Sequence, residues 1–110
     1  MVGRELIDAA RCRSERTNSA KVTDDTLVFV PALAGLAAPH WQAQARGTLL
    51  GISRATTQMD IVRTTLNGIA CRVYDIAKAL EQDAGYPLTD LKVNGGPSAN
   101  RYLMQYLADI

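Results

Sequence analysis

The chain has 110 residues, of which 47% are apolar and 21% charged, with a formal net charge of +1. That length suits one small domain, and a charge so near balance gives no electrostatic ground for a nucleic-acid partner. No apolar run approaches the roughly 20 residues of a membrane span, and Met1-Val2-Gly3-Arg4-Glu5-Leu6 has no long apolar stretch behind its charges, so neither a membrane span nor a secretion signal is expected.

The first helix is expected over about residues 4–19, with Leu6, Ile7, Ala10 and Cys12 sharing a side and the arginines facing out. Arg11, Arg13, Arg16 and Lys21 are interspersed with Glu15, Asp24 and Asp25, which reads as a solvated face rather than a binding patch. A polar loop follows over 18–26. Cys12 and Cys71 lack metal-ligand spacing and are read most simply as free thiols in a reducing, cytoplasmic setting, with a disulfide left open.

Leu27-Val28-Phe29-Val30 predicts a short buried strand ended by Pro31. Residues 31–46, rich in small residues with two prolines and a glycine, read as irregular, and Thr48-Leu49-Leu50-Gly51-Ile52 as another short strand. The longest element is then an amphipathic helix, because Met59, Val62, Leu66, Ile69, Val73, Ile76 or Ala77, Leu80 and Ala84 recur at steps of three and four. Thr57 with Asp60 supplies its start, Gly85 its end, and Pro87 prevents continuation, giving a rod of about 40 Å. The apolar stripe requires a partner surface, which we place within the domain rather than in a coiled coil.

Leu91-Lys92-Val93-Asn94-Gly95-Gly96-Pro97-Ser98-Ala99-Asn100 reads as a strand, a glycine turn and a helix start, with Pro97 at the first helical position. Backbone amides at such a turn favour a phosphate or a polar ring edge, although the same pattern also serves as a plain tight connection. The final helix places Leu103, Tyr106 or Leu107 and Ile110 on its core side.

Four blocks carry a resemblance. Val30-Pro31-Ala32-Leu33-Ala34-Gly35-Leu36-Ala37-Ala38-Pro39-His40-Trp41, then Ala45-Arg46-Gly47-Thr48-Leu49-Leu50-Gly51-Ile52-Ser53-Arg54, Arg63-Thr64-Thr65-Leu66-Asn67-Gly68-Ile69-Ala70, and Asn94-Gly95-Gly96-Pro97-Ser98-Ala99-Asn100 keep order and approximate spacing. Together they resemble the carboxy-terminal domain of the FGGY carbohydrate kinases, on the glycerol kinase branch, clearly over 27–110 and faintly before.

The resemblance implies an α/β fold class: a partial ribonuclease-H-like (actin-like ATPase) domain, helix-rich with a few short strands. In that family two such domains close over a cleft, with ATP and Mg2+ held largely by the second and the polyol or sugar by the first. The resemblance places Gly96 and Asn100 on the adenine and ribose side of ATP, with Gly95 shaping the turn. An asparagine amide offers both donors and acceptors to a heterocycle edge. Family members run to several hundred residues and carry the first phosphate-binding hairpin and the catalytic aspartate upstream, and neither is found here. The whole chain, 1–110, is therefore expected to be one partial domain, ending inside a helix at Ala108-Asp109-Ile110, with no catalytic residue and no metal ligand assigned to it.

Pro39-His40-Trp41 holds the only histidine of the chain. With no serine or cysteine placed as its nucleophile and no second ligand, His40 is read as packing or hydrogen bonding. Arg46 is expected to brace its loop against an acidic neighbour, Tyr102 and Tyr106 to lie in the core or an interface, and Ser53 and Ser98 to have no base. Where relatives of the resembled family carry acids, this chain has Gln42, Asn67 and Asn94, removing charges that pair with arginine or organise magnesium; Ala37 stands where glycine is common. Two readings follow: the nucleotide-side portion of an ATP-dependent polyol kinase, or a catalytically inactive interaction module whose uncovered surfaces drive homo-oligomerisation.

Overall fold

A computed structural model describes residues 27–110. The helix expected over 4–19, the loop to 26 and Cys12 lie outside the described residues. Two strands come first, β1 (Val28–Val30) and β2 (Thr48–Leu50), paired antiparallel with Val28 opposite Leu50, Phe29 opposite Leu49 and Val30 opposite Thr48. β1 ends where Pro31 offers no N–H to a ladder. β2 is shorter than its apolar run, because Gly51 turns the chain at φ 88°.

The stretch between the strands is irregular, as its composition predicts, but it is tied down. Leu36 and Gln42 exchange backbone hydrogen bonds of 2.8 Å in both directions, and the enclosed turn contains a cis Ala38–Pro39 bond. At Gly35 (φ 88°) a Cβ would lie 2.7 Å from the Ala43 carbonyl oxygen, so the loop closes only over a glycine. Ala37 lies outside the positive-φ region, so the alanine at that position is unstrained. Val30, Ala32 and Leu36 form the buried cluster under this loop, with Ala45 packed against it.

The long helix, α1 (Gln58–Ala84), begins and ends as its sequence predicts. Thr57 Oγ1 accepts from the Asp60 N–H (3.2 Å) and Asp60 Oδ2 accepts from the Thr57 N–H (2.9 Å), a capping box. Gly85 closes the helix in the left-handed conformation at φ 76°, its N–H donating to the Glu81 carbonyl.

α1 is buried on two sides: Ala70 lies at helical steps from Leu66, Val73 and Ala77, half-buried members of the expected stripe, whereas Gly68 is on the opposite side. Gly68 and Ala70 are its buried residues, whereas Met59, Val62, Ile69, Ile76 and Leu80 remain between 38% and 58% exposed. A two-stranded ribbon is too narrow to cover a helix of 27 residues. Close approach instead selects the smallest side chains: β1 lies on α1 at Gly68, directly under Phe29.

The carboxy-terminal part corrects two expectations. Leu91-Lys92-Val93 is not a strand: no strand lies beside it among the described residues, and a strand exists only through a neighbour's hydrogen bonds. Nor does Pro97 open the last α-helix. Gly96–Ala99 forms a 3₁₀ turn, and the final helix α2 (Arg101–Asp109) starts later, with Asn100 as its N-cap. The left-handed Gly95 (φ 95°) and the Ser98 N–H to Gly95 carbonyl bond (3.1 Å) tighten the chain before it can enter an α-helix. Leu103 is buried while Tyr106, Leu107 and Ile110 are half-buried, so the core side of α2 is the expected one.

Candidate functional site

Gly95, Gly96 and Asn100 belong to one continuous structure, the 3₁₀ turn and the cap that follows it. Ser98 donates to the Gly95 carbonyl through both its N–H and its Oγ (2.5 Å for the hydroxyl), and the Asn100 N–H donates to the Pro97 carbonyl at 3.0 Å. Asn100 Oδ1 in turn accepts from the Leu103 N–H at 3.0 Å. The side-chain oxygen is thus engaged in the local backbone, leaving the amide NH2 as the group Asn100 offers outward.

The two glycines have different reasons to be glycine. Gly95 needs its positive φ. Gly96 does not: its φ is outside that region, and a Cβ there would meet no heavy atom within 4 Å. Packing among the described residues gives no account of glycine at 96, and the turn is open to solvent on that side.

A groove of about 430 Å³ lies between the carboxy-terminal halves of the two helices. Tyr74, Lys78, Glu81, Leu91, Val93 and Met104 contribute to its walls, and none of Gly95, Gly96 or Asn100 does. Glu81 organises its rim: Oε2 accepts from Lys78 Nζ (2.7 Å) and Oε1 from the Leu88 N–H (3.0 Å), with the Lys78 ammonium 5.5 Å from the Tyr74 ring centre. The Lys78 hydrogen bond, then the Leu88 N–H, hold the Glu81 carboxyl below its ordinary value.

The other candidates resolve as structure. His40 Nε2 is 3.6 Å from Asp75 Oδ2, Arg72 Nη1 is 3.8 Å from the same oxygen, and Arg72 Nη2 donates to the Ala38 carbonyl at 2.9 Å. The Arg72 bond thereby pins the loop around Pro39 to α1, while His40 Nε2 packs beside Asp75, buried and without a hydrogen-bond partner among the described residues. Arg72 and Asp75 were not singled out by the sequence; an arginine three residues before an aspartate on a helix is too common a pattern to mark a loop anchor. Arg46 departs from expectation: instead of meeting an acid, it donates to the Ala43 and Ala45 carbonyls at 3.0 and 2.8 Å, the nearest acceptors within its own turn. Tyr102 is 42% exposed, stacks on Tyr106 with ring centres 6.2 Å apart, and donates its phenol to Asn67 Oδ1 at 2.9 Å.

For magnesium the residues do not fit. Among the described residues no group of three or more His, Cys, Asp or Glu side chains converges, and Gln42, Asn67 and Asn94 present neutral amides. No helix among the described residues is long and apolar enough to cross a membrane.

A strand pair under a long helix, followed by a glycine turn and a capped helix, is the arrangement of part of an actin-like ATPase domain. Residues 3–110 match the model of the FGGY family of carbohydrate kinases, C-terminal domain, and the chain belongs to that family. Its relatives include glycerol kinases from Leptospira biflexa, 48% identical over 97 residues, covering 88% of this chain and 20% of the relative, and from Trichlorobacter lovleyi, 53% identical over 95 residues, covering 86% and 19%. Among solved structures it is similar to Plasmodium falciparum glycerol kinase with ADP, with TM-score 0.73 and 35% identity over 94% of this chain and 21% of that one. A xyloylose kinase from Brucella ovis matches with TM-score 0.72 and 27% identity, over 92% of this chain and 20% of that one. The chain thus spans about a fifth of the length of the relatives it matches.

Proposed function

We propose that this chain is the adenine-side portion of an ATP-dependent polyol kinase of the glycerol kinase type, acting in the cytoplasm. Gly95 and Gly96 would let the backbone approach the nucleotide, and the Asn100 amide NH2 would donate to the adenine or ribose edge. The observation that carries this reading is Gly96, whose glycine identity neither a positive φ nor a crowded neighbour explains. A ligand that approaches the backbone there does explain it. The single-domain boundary, 1–110, is part of the same proposal.

The chemistry is transfer of the γ-phosphoryl group of ATP to a polyol hydroxyl, whose proton a carboxylate must accept. No residue of this chain is assigned that role. Magnesium would accompany the triphosphate rather than be held by a carboxylate set on this segment. The chain alone is therefore expected to bind nucleotide without turning it over.

Titration calorimetry with ATP and magnesium tests the reading, with Gly96→Val as control. Because a Cβ at 96 meets no heavy atom within 4 Å among the described residues, that variant should keep the structure and lose the heat of binding. No heat at millimolar ATP from the folded chain would sink the proposal.

A second reading is supported by the exposed stripe Met59, Val62, Ile69, Ile76 and Leu80. Left uncovered, such a stripe favours self-association of a catalytically inactive module. A monomer by sedimentation at high concentration would remove it.

A further inference from the structure

The bond between Tyr102 and Asn67 joins two positions 35 residues apart and bridges the first turn of α2 to the middle of α1. Its neighbours in sequence explain why the location matters. Asn100 caps α2, and Leu103, 4% exposed, anchors that same turn in the core. Leu103 and the half-buried Tyr106, Leu107 and Ile110 hold one side of α2 to the core, which leaves its rotation about its own axis to be set by contacts on another side. A second attachment at the adjacent residue, in a different direction around the helix, removes that rotation. The stack of Tyr102 on Tyr106 keeps the phenol from swinging away from its acceptor.

We infer that Tyr102 and Asn67 are positioning residues for the nucleotide turn: their hydrogen bond fixes the rotation of α2 and hence the direction in which the Asn100 amide and the Gly95–Gly96 backbone face. The inference rests on the nucleotide reading of that turn.

The test is ATP and GTP affinity of the 110-residue chain for wild type, Tyr102→Phe, Asn67→Ala, the double variant and Asn67→Asp. Loss of one neutral hydrogen bond that acts on the purine edge should lower the ATP-over-GTP preference by about threefold to tenfold. Asn67→Asp, which keeps an acceptor, should retain the preference, and the double variant should be no worse than either single one. A merely structural role lowers the folded fraction and so weakens both nucleotides equally; an unchanged ATP-to-GTP ratio alongside a lower melting midpoint would overturn the inference while leaving the site standing. Wild type that binds neither nucleotide would overturn both the site and the strut. Tyr102→Phe and Asn67→Ala break the bond from opposite sides, so one that fails to fold leaves the other to report the ratio.

Discussion

A Cβ placed on Gly68 would lie 2.5 Å from the carbonyl oxygen of Phe29, closer than carbon and oxygen approach without displacement of one of them. α1 and β1 therefore meet backbone to backbone, and the obstructing atom belongs to a strand held in a ladder. Gly68→Ala gains helix propensity of about 1 kcal/mol in an unpacked helix. Here the forced separation of helix and strand should outweigh it, with a net destabilisation of about 1–2 kcal/mol, in the range of overpacked cores. Thermal unfolding should show a midpoint lower by about 4–16 °C for a domain of this size. An unchanged or raised midpoint would mean that the contact yields freely.

Asn100 has two separable duties. Its Oδ1 caps α2, and its NH2 is the proposed donor to nucleotide. Asn100→Ala removes both, costing about 1 kcal/mol of stability along with the binding. Asn100→Asp keeps an oxygen for the Leu103 N–H and removes the donors, so it should unfold like wild type and still bind ATP at least several-fold more weakly. Melting curves paired with calorimetry distinguish the duties. ATP affinity of Asn100→Asp equal to wild type would end the role assigned to the amide.

Local chemistry made much of this fold legible. Thr57 with Asp60 and Gly85 before Pro87 bound α1 because capping depends on residues within one turn of one another. Leu91 and Val93 misled for the opposite reason: their alternation is a strand's, but whether a strand forms is decided by a neighbour elsewhere in the chain. The stripe from Met59 to Leu80 was visible as a stripe, and Ala70 is buried along it; the second contact, Gly68 under Phe29 on the opposite side, was not visible, since a glycine carries no weight in an apolar period. At the candidate site, the glycine turn could be read from the residues, while the choice of Gly96 and Asn100 came from the family resemblance. The cap that engages Asn100 and the reach of Tyr102 to Asn67 could not, since both depend on where the 3₁₀ turn delivers α2.

Glu81 makes the attachment of residues 86–90 sensitive to acid. Its carboxylate accepts from Lys78 and from the Leu88 N–H, and its folded-state value is depressed, so the unfolded chain takes up a proton first as pH falls. The stabilisation is fully present above the ordinary carboxylate range and is lost as pH drops through the folded value. Between neutrality and pH 6 no change is expected; below the carboxylate range the Leu88 amide should lose hydrogen-exchange protection. Glu81→Gln, which still accepts but carries no charge, should show weaker protection at neutral pH and little further loss in acid. Equal acid sensitivity in both proteins would assign the effect to other groups.

Trp41, the chain's single tryptophan, reports on how the Pro39 loop is held. Its side chain is 76% exposed and its backbone lies at φ 50°, a left-handed conformation uncommon for a bulky residue, so the loop around it must be fixed from elsewhere. The fixing groups are Arg72, through the Ala38 carbonyl, and Asp75 beside His40. Arg72→Met keeps much of the aliphatic stem and removes the donor, at a cost of about 1–3 kcal/mol for a charge-assisted hydrogen bond. The loss should be local, because Leu36 and Gln42 still close the base of the loop. Fluorescence anisotropy of Trp41 should fall and the His40 and Trp41 amides should exchange faster, while the amides of α1 keep their protection. Faster exchange throughout α1 would instead make Arg72 a part of the global core, and no change at Trp41 would mean that the Leu36–Gln42 ladder holds the loop unaided.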